Sequence, residues 1–249
     1  MTCIHIREVF AGPAELFHAA AEEFVRTGQA AIQQNGLFSV ALSGGSTPRA
    51  LYSLLAGEYA GFDWAHTCLF FGDERHVPPD HPESNYRMVD EALLSKIRIP
   101  AANVFRVHAE MPDASACAAE YEARLRNFFH LAPGQFPQFD LVLLGLGTDG
   151  HTASLFPGSA GLQEQSRLVI ANWVEKFQTH RISVTFPVLN QASDVMFLVS
   201  GPDKASIVRQ IVDGKASPPF PAQDVQPQGR LLWMLDAPAA ANLDHGSQP

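Results

Sequence analysis

Residues 139–158 read FDLVLLGLGTDGHTASLFPG. An apolar run of strand length, 139–144, passes directly into a loop that holds Gly145, Gly147, Gly150 and Gly158 around His151. A short apolar run bounded by turn residues predicts a buried strand. The arrangement recurs twice: LFSVAL at 37–42 runs into SGGSTP at 43–48, and TCLFF at 67–71 runs into GDER at 72–75. Amphipathic stretches separate these runs. Leu16, Ala20, Phe24 and Ile32 recur at helical spacing over 13–35, and Gly36 ends that helix. Residues 48–55, 84–97 and 113–129 also read as helices. Further strands are expected at 168–170, 181–186, 195–199 and 231–235, with a short helix over 203–212. Strand, loop and helix in alternation predict an α/β fold, a mostly parallel sheet with helices on both faces.

Composition bounds the function. The chain has 249 residues, 46% of them apolar, and a net charge of −9, which suits a folded protein with a large core. The acidic balance argues against nucleic acid, whose backbone needs a basic face. It leaves room for a pocket with two or three cations. No apolar run reaches 18 residues, so no membrane span is expected. The start, MTCIHIREVFAGPAELF, lacks a basic stretch followed by an apolar one, which predicts no secretory leader. Cys3, Cys68 and Cys117 are odd in number, far apart and without a CxxC pair, as expected of reduced thiols in a cytoplasmic protein. No linker is evident, so residues 1–249 are read as one domain. The stretch 215–229 reads as a surface loop, and the last dozen residues, from Ala237, are expected to fray.

In open α/β sheets, ligands bind beyond the carboxyl ends of the strands, where the unusual loops fall. In the first, Gly44 and Gly45 allow a tight turn, Ser46 or Thr47 is placed to cap the next helix, and Pro48 suits its first turn. Such a helix start offers N–H groups to a phosphate. In the second, Asp73 sits nearest the strand end and is expected to face the crevice. Arg75 suits phosphate or an oxyanion, while Glu74, His76 and His81 read as loop structure. Asn85 either hydrogen-bonds a ligand or caps a helix. In the third, His151 can take a proton near neutral pH. Asp149 orients that imidazole, binds hydroxyls or shapes the turn. Gly147 and its neighbours offer backbone N–H groups to a developing oxyanion. Arg181 and Lys204 are two more cations, useful only if the fold brings them to the first loop. No GxSxG elbow, HExxH or clustered Cys/His set is present, so no metal is expected.

SGGSTP, GDERHVPPDHPESNYRM, GLGTDGHTASLFPG, RISVTFPVLNQA, FLVSGPDKA and GRLLWMLDAPAA together resemble the sugar-phosphate family that contains 6-phosphogluconolactonases and glucosamine-6-phosphate deaminases. The likeness runs from about Leu16 to Ala240, and GDER with GHTASLFPG points to the lactonase branch. It implies a three-layer, Rossmann-like fold, no cofactor, and hydrolysis of 6-phospho-D-glucono-1,5-lactone in the oxidative pentose phosphate pathway. It also implies that His151 is the general base, that Ser46, Thr47, Arg181 and Lys204 hold the phosphate, and that Arg75 contacts substrate nearby. Ser183 stands where relatives commonly show Thr, and neither it nor His180 removes a proposed ligand. The expected partner is the phosphorylated lactone alone, with a monomer as the default state. Two alternatives are set beside this. One is the deaminase, whose acid-bearing loop reads DEY and whose DGH loop carries a Glu five residues after the His. Here those places hold Asp73-Glu74-Arg75 and Phe156. The other is a catalytically silent sugar-phosphate-binding module, for which an intact His151 with Asp149 would serve no purpose.

Overall fold

The computed structural model describes residues 3–214 and 218–243. In chain order the main elements are β1 (Ile4–Phe10), α1 (Pro13–Asn35), β2 (Phe38–Leu42), α2 (Ser46–Glu58), β3 (Thr67–Phe71), β4 (Asp73–Arg75), α3 (Asn85–Ala92), β5 (Val104–Phe105), α4 (Ala114–Phe128), β6 (Leu141–Leu144), β7 (Val169–Val174), β8 (Thr179–Val184), α5 (Phe186–Gln191), β9 (Asp194–Val199), α6 (Ala205–Asp213) and β10 (Arg230–Asp236). Among the described residues, seven strands form one sheet in the order β1-β10-β9-β6-β2-β3-β5, and every neighbouring pair is parallel. Strands β2, β3 and β6 are buried at every residue, as a sheet covered by helices on both faces requires. The expected α/β class is what the chain adopts.

The order explains where a ligand fits. From β2 the chain winds outward through β3 to β5, then returns to β6 on the other side of β2 and continues to β9 and β10. The reversal between β2 and β6 is a topological switch point, where crossovers diverge and leave a crevice.

Three expectations need correction. Strands form close to where 168–170 and 181–186 predict them, but outside the main parallel sheet. They belong to β7 and β8, which pair antiparallel with each other and with β4 in a separate three-stranded sheet. The tight turn at 175–178, with Gln178 left-handed at φ 50°, joins β7 to β8 without the crossover that parallel pairing needs. The described part of 215–229 is not wholly at the surface, since Ala222 and Val225 are buried; residues 215–217 lie outside the described residues. Nor do residues 237–243 fray. Ala239 is buried, and its N–H donates to Asp236 Oδ1 at 2.8 Å. The buried Asp236 also accepts from Ser200 Oγ and the Gly201 N–H, tying the end of β10 to the loop after β9. Residues 244–249 lie outside the described residues. Strand β1, unforeseen in the sequence, pairs along its full length with β10 at the edge of the sheet.

Candidate active site

A cleft of about 290 Å³ opens at the carboxyl ends of β2, β3 and β6, between the two sheets. It gathers Gly44, Gly45, Asp73, Arg75, Asn85, Gly147, His151, Arg181 and Lys204, which the sequence spreads over 161 positions. It also includes Ser43, Ser154, Phe156 and Phe177, which sequence reasoning missed. Asp149, Ser46 and Thr47 do not line it.

One wall is cationic. Residues Arg75 of β4 and Arg181 of β8 are register partners across the small sheet. The Arg75 Nη1 donates to the Glu83 carbonyl. The Arg181 guanidinium lies 5.1 Å from the Phe177 ring centroid, and its buried Nε finds no hydrogen-bond partner among the described residues. Burial, and then the neighbouring Arg75 charge, push Arg181 below the usual guanidinium value; like charges held together this way favour an anion between them. Lys204, at the start of α6, completes the wall with its Nζ 3.0 Å from Asp203. This is the juxtaposition that spacing alone could not supply.

The turn at 43–45 forms the floor. Gly45, at φ 105°, occupies the cap position of α2 and offers no side-chain cap. Neither Ser46 nor Thr47 therefore caps the helix, contrary to expectation; both lie in its first turn, where their N–H groups lack intrahelical acceptors. The exposed Ser46 side chain borders a neighbouring groove with Arg49 and Arg87 instead. Gly44 is required for space, because a Cβ there would lie 1.9 Å from Asn85 Oδ1. Asn85 serves structure through Nδ2, while its buried Oδ1 finds no hydrogen-bond partner among the described residues. Its Nδ2 donates to the Asp73 carbonyl at 2.9 Å, and it opens α3 one residue after the capping Ser84. Asp73 accepts from Ser154 Oγ at 2.6 Å, which pins β4 to the third loop. Glu74 accepts from the N–H groups of Arg75, Asn85 and Tyr86. Burial lifts its carboxyl above the usual carboxylate range against the pull of those donors. It holds the loop, as read from the sequence, and does not reach the cleft.

The opposite wall carries His151. His151 Nδ1 donates to Asp149 Oδ1 across 2.5 Å, which leaves Nε2 on the far edge of the ring. Burial pushes the Asp149 carboxyl up, but the bond and charge of His151, with Lys176 at 3.6 Å, hold it below its usual value. Of the roles read for Asp149, orientation of the imidazole is the one that this bond fits. Gly147 departs from expectation. Its N–H donates to the His151 carbonyl at 2.9 Å and is not offered to a ligand. Its contribution is room, since a Cβ would stand 2.0 Å from His151 Nδ1. Ala153 holds φ 47° in this loop, a conformation rare for a residue with a side chain and typical of functional loops. The Phe156 ring stacks on the imidazole at 4.0 Å between centroids. Its place inside the third motif was visible in the sequence, but its contact was not. Phe177 arrives from the β7–β8 turn, where nothing local marks it.

Among the described residues no group of three or more His, Cys, Asp or Glu is placed to hold a metal ion, and no helix is long and apolar enough to cross a membrane. Residues 11–233 match the family model described as glucosamine-6-phosphate isomerases/6-phosphogluconolactonase. The 6-phosphogluconolactonase of Nostoc sp. is 45% identical over 214 residues, covering 86% of this chain and 88% of that protein. The 6-phosphogluconolactonase of Rattus norvegicus is 38% identical over 245 residues, covering 94% and 92%. Among solved structures, the 6-phosphogluconolactonase from Trypanosoma cruzi matches with a TM-score of 0.85 at 32% identity and covers 98% of both chains.

Proposed function

The chain belongs to the family of glucosamine-6-phosphate isomerases and 6-phosphogluconolactonases, and from that premise we propose that it hydrolyses 6-phospho-D-glucono-1,5-lactone to 6-phosphogluconate with His151 as general base. It is an enzyme, a lactone hydrolase of carbohydrate metabolism. The observation that carries the mechanism is the His151–Asp149 pair facing a wall of two arginines and a lysine across one cleft.

A lactone carbonyl is electrophilic, so an activated water suffices. Asp149 fixes Nδ1 as the protonated nitrogen, and Nε2 takes a proton from water as its oxygen attacks the carbonyl carbon. The carbon–oxygen double bond becomes a single bond, and negative charge collects on the carbonyl oxygen. With the Gly147 N–H engaged, that charge is left to the Arg75 guanidinium and the N–H groups of the Gly44–Gly45 turn. The carbonyl then re-forms, the bond to the ring oxygen breaks, and the imidazolium returns its proton to that oxygen. The new carboxylic acid loses its proton to solvent. Arg181, Lys204 and the start of α2 hold the phosphate, which aligns the lactone with the base.

His151 and the three cations of the cleft all come from one chain, which supports a single-domain monomer; the scattered cysteines support a cytoplasmic setting. Phe156 stands where the deaminase branch carries its extra acid, so the lactonase reading is preferred.

The direct test is turnover of freshly generated lactone, with the unphosphorylated lactone as control. Hydrolysis well above the spontaneous rate for the phosphorylated form alone is expected; no acceleration would overturn the reading. The phosphate site has its own test. Arg181→Ala and Lys204→Ala are each expected to raise KM about tenfold, the scale of one charge-assisted hydrogen bond, with kcat within a few-fold. Unchanged KM in both variants would remove them from the site.

A further inference from the structure

The Asp149 bond holds the His151 imidazole by one edge, so a constraint on its faces must come from elsewhere. Gly147 approaches the Nδ1–Cε1 side of the ring, with a Cβ position 2.0 Å from Nδ1 and 2.2 Å from Cε1, and brings no side chain to the ring face. Phe156 supplies that constraint. It is 7% exposed, lies 23° from coplanar with the imidazole, and is backed edge-on by Phe177 at 5.9 Å and 80°. We infer that Phe156 is a positioning residue, which holds the His151 ring by its face with Nε2 toward substrate and keeps a second carboxylate off that face.

The charged groups around the ring are consistent with this. Asp149 meets Nδ1, and Lys176 reaches Asp149 from the β7–β8 turn. Asp73 and Arg75 of β4, Arg181 of β8 and Lys204 of α6 line the same cleft. None of them occupies the face that Phe156 covers. An apolar partner there lets the imidazole both take a proton and give it up. A carboxylate would bind the imidazolium and retain the proton.

The inference rests on His151 as the base, and three variants of Phe156 test it alongside His151→Ala. With Phe156→Ala, kcat is expected to fall roughly tenfold or more through misplacement of the base, with KM nearly unchanged. With Phe156→Tyr, which keeps the ring face at a residue that also borders a second cavity of about 520 Å³, kcat should stay near wild type. With Phe156→Glu, the acid limb of the kcat/KM profile should move up by about one pH unit, a displacement that loss of packing alone does not cause. A wild-type kcat in Phe156→Ala, or an unmoved acid limb in Phe156→Glu, overturns the inference. If Phe156→Ala does not fold, the Tyr and Glu variants decide it. Full activity in His151→Ala would instead overturn the assignment of the base, so the two failures are distinguishable.

Discussion

Replacement of His151 by alanine is expected to slow hydrolysis of the phosphorylated lactone by about 100-fold or more, the scale of a lost general base. Binding of the product, 6-phosphogluconate, should survive, because the cationic wall of Arg75, Arg181 and Lys204 lies on other segments of the chain. The two results together separate an enzyme from a silent binder. The check is a pair of measurements on one preparation: the initial rate over the spontaneous background, and calorimetric titration with product. A rate equal to wild type would remove His151 from the chemistry. Loss of both rate and binding would mean that the side chain supports the cleft rather than the reaction.

Gly147→Ala is expected to be nearly as damaging, though the residue touches no substrate in the proposed mechanism. Its backbone does not need a positive φ, so alanine is conformationally acceptable there. The obstacle is local and steric. The added Cβ would lie 2.0 Å from His151 Nδ1 and 2.6 Å from Asp149 Oδ1, far inside van der Waals contact, and the two side chains must move. A shift of about 1 Å in a reacting group can cost about 100-fold. A kcat loss of that order is expected, with a melting temperature close to wild type because only partly exposed side chains are displaced. Gly57→Ala is the control. A Cβ there meets nothing within 4 Å and the residue lies outside the cleft, so its kcat should be nearly unchanged. Equal kcat in wild type and Gly147→Ala would show that the pair does not need its observed geometry.

Much of the fold was legible because local signals agreed with the global arrangement. Helix α1 begins and ends where its periodicity and Gly36 place it, and Gly36 adopts φ 79° as a terminating glycine should. Strand β3 covers the residues read for it. The small antiparallel sheet was not legible. VIANWV and THRISV look like strands in either setting, and sheet membership depends on partners more than 90 residues away, such as Asp73 opposite Ser183. At the site, composition and loop position marked segments that meet in one cleft, but the direction of individual groups was hidden. Nothing in SGGSTP tells whether Ser46 caps the helix or Gly45 does. Nothing in GLGTDGH tells that the Gly147 N–H is taken by the His151 carbonyl. Spacing also could not bring Arg75 and Arg181 together, since that contact is a register across β4 and β8.

The cationic wall inside a chain of net charge −9 has a consequence for turnover. Hydrolysis adds a carboxylate to a molecule that already carries a phosphate, so the product departs with more negative charge than the substrate brought. With Arg75, Arg181 and Lys204 in their proposed role, the cleft would hold the product more strongly than the lactone, while the acidic exterior offers a departing anion no attraction. Capture and escape are therefore opposed through the same three side chains. Dissolved salt screens both, so rising ionic strength weakens capture at low substrate and hastens escape at saturation.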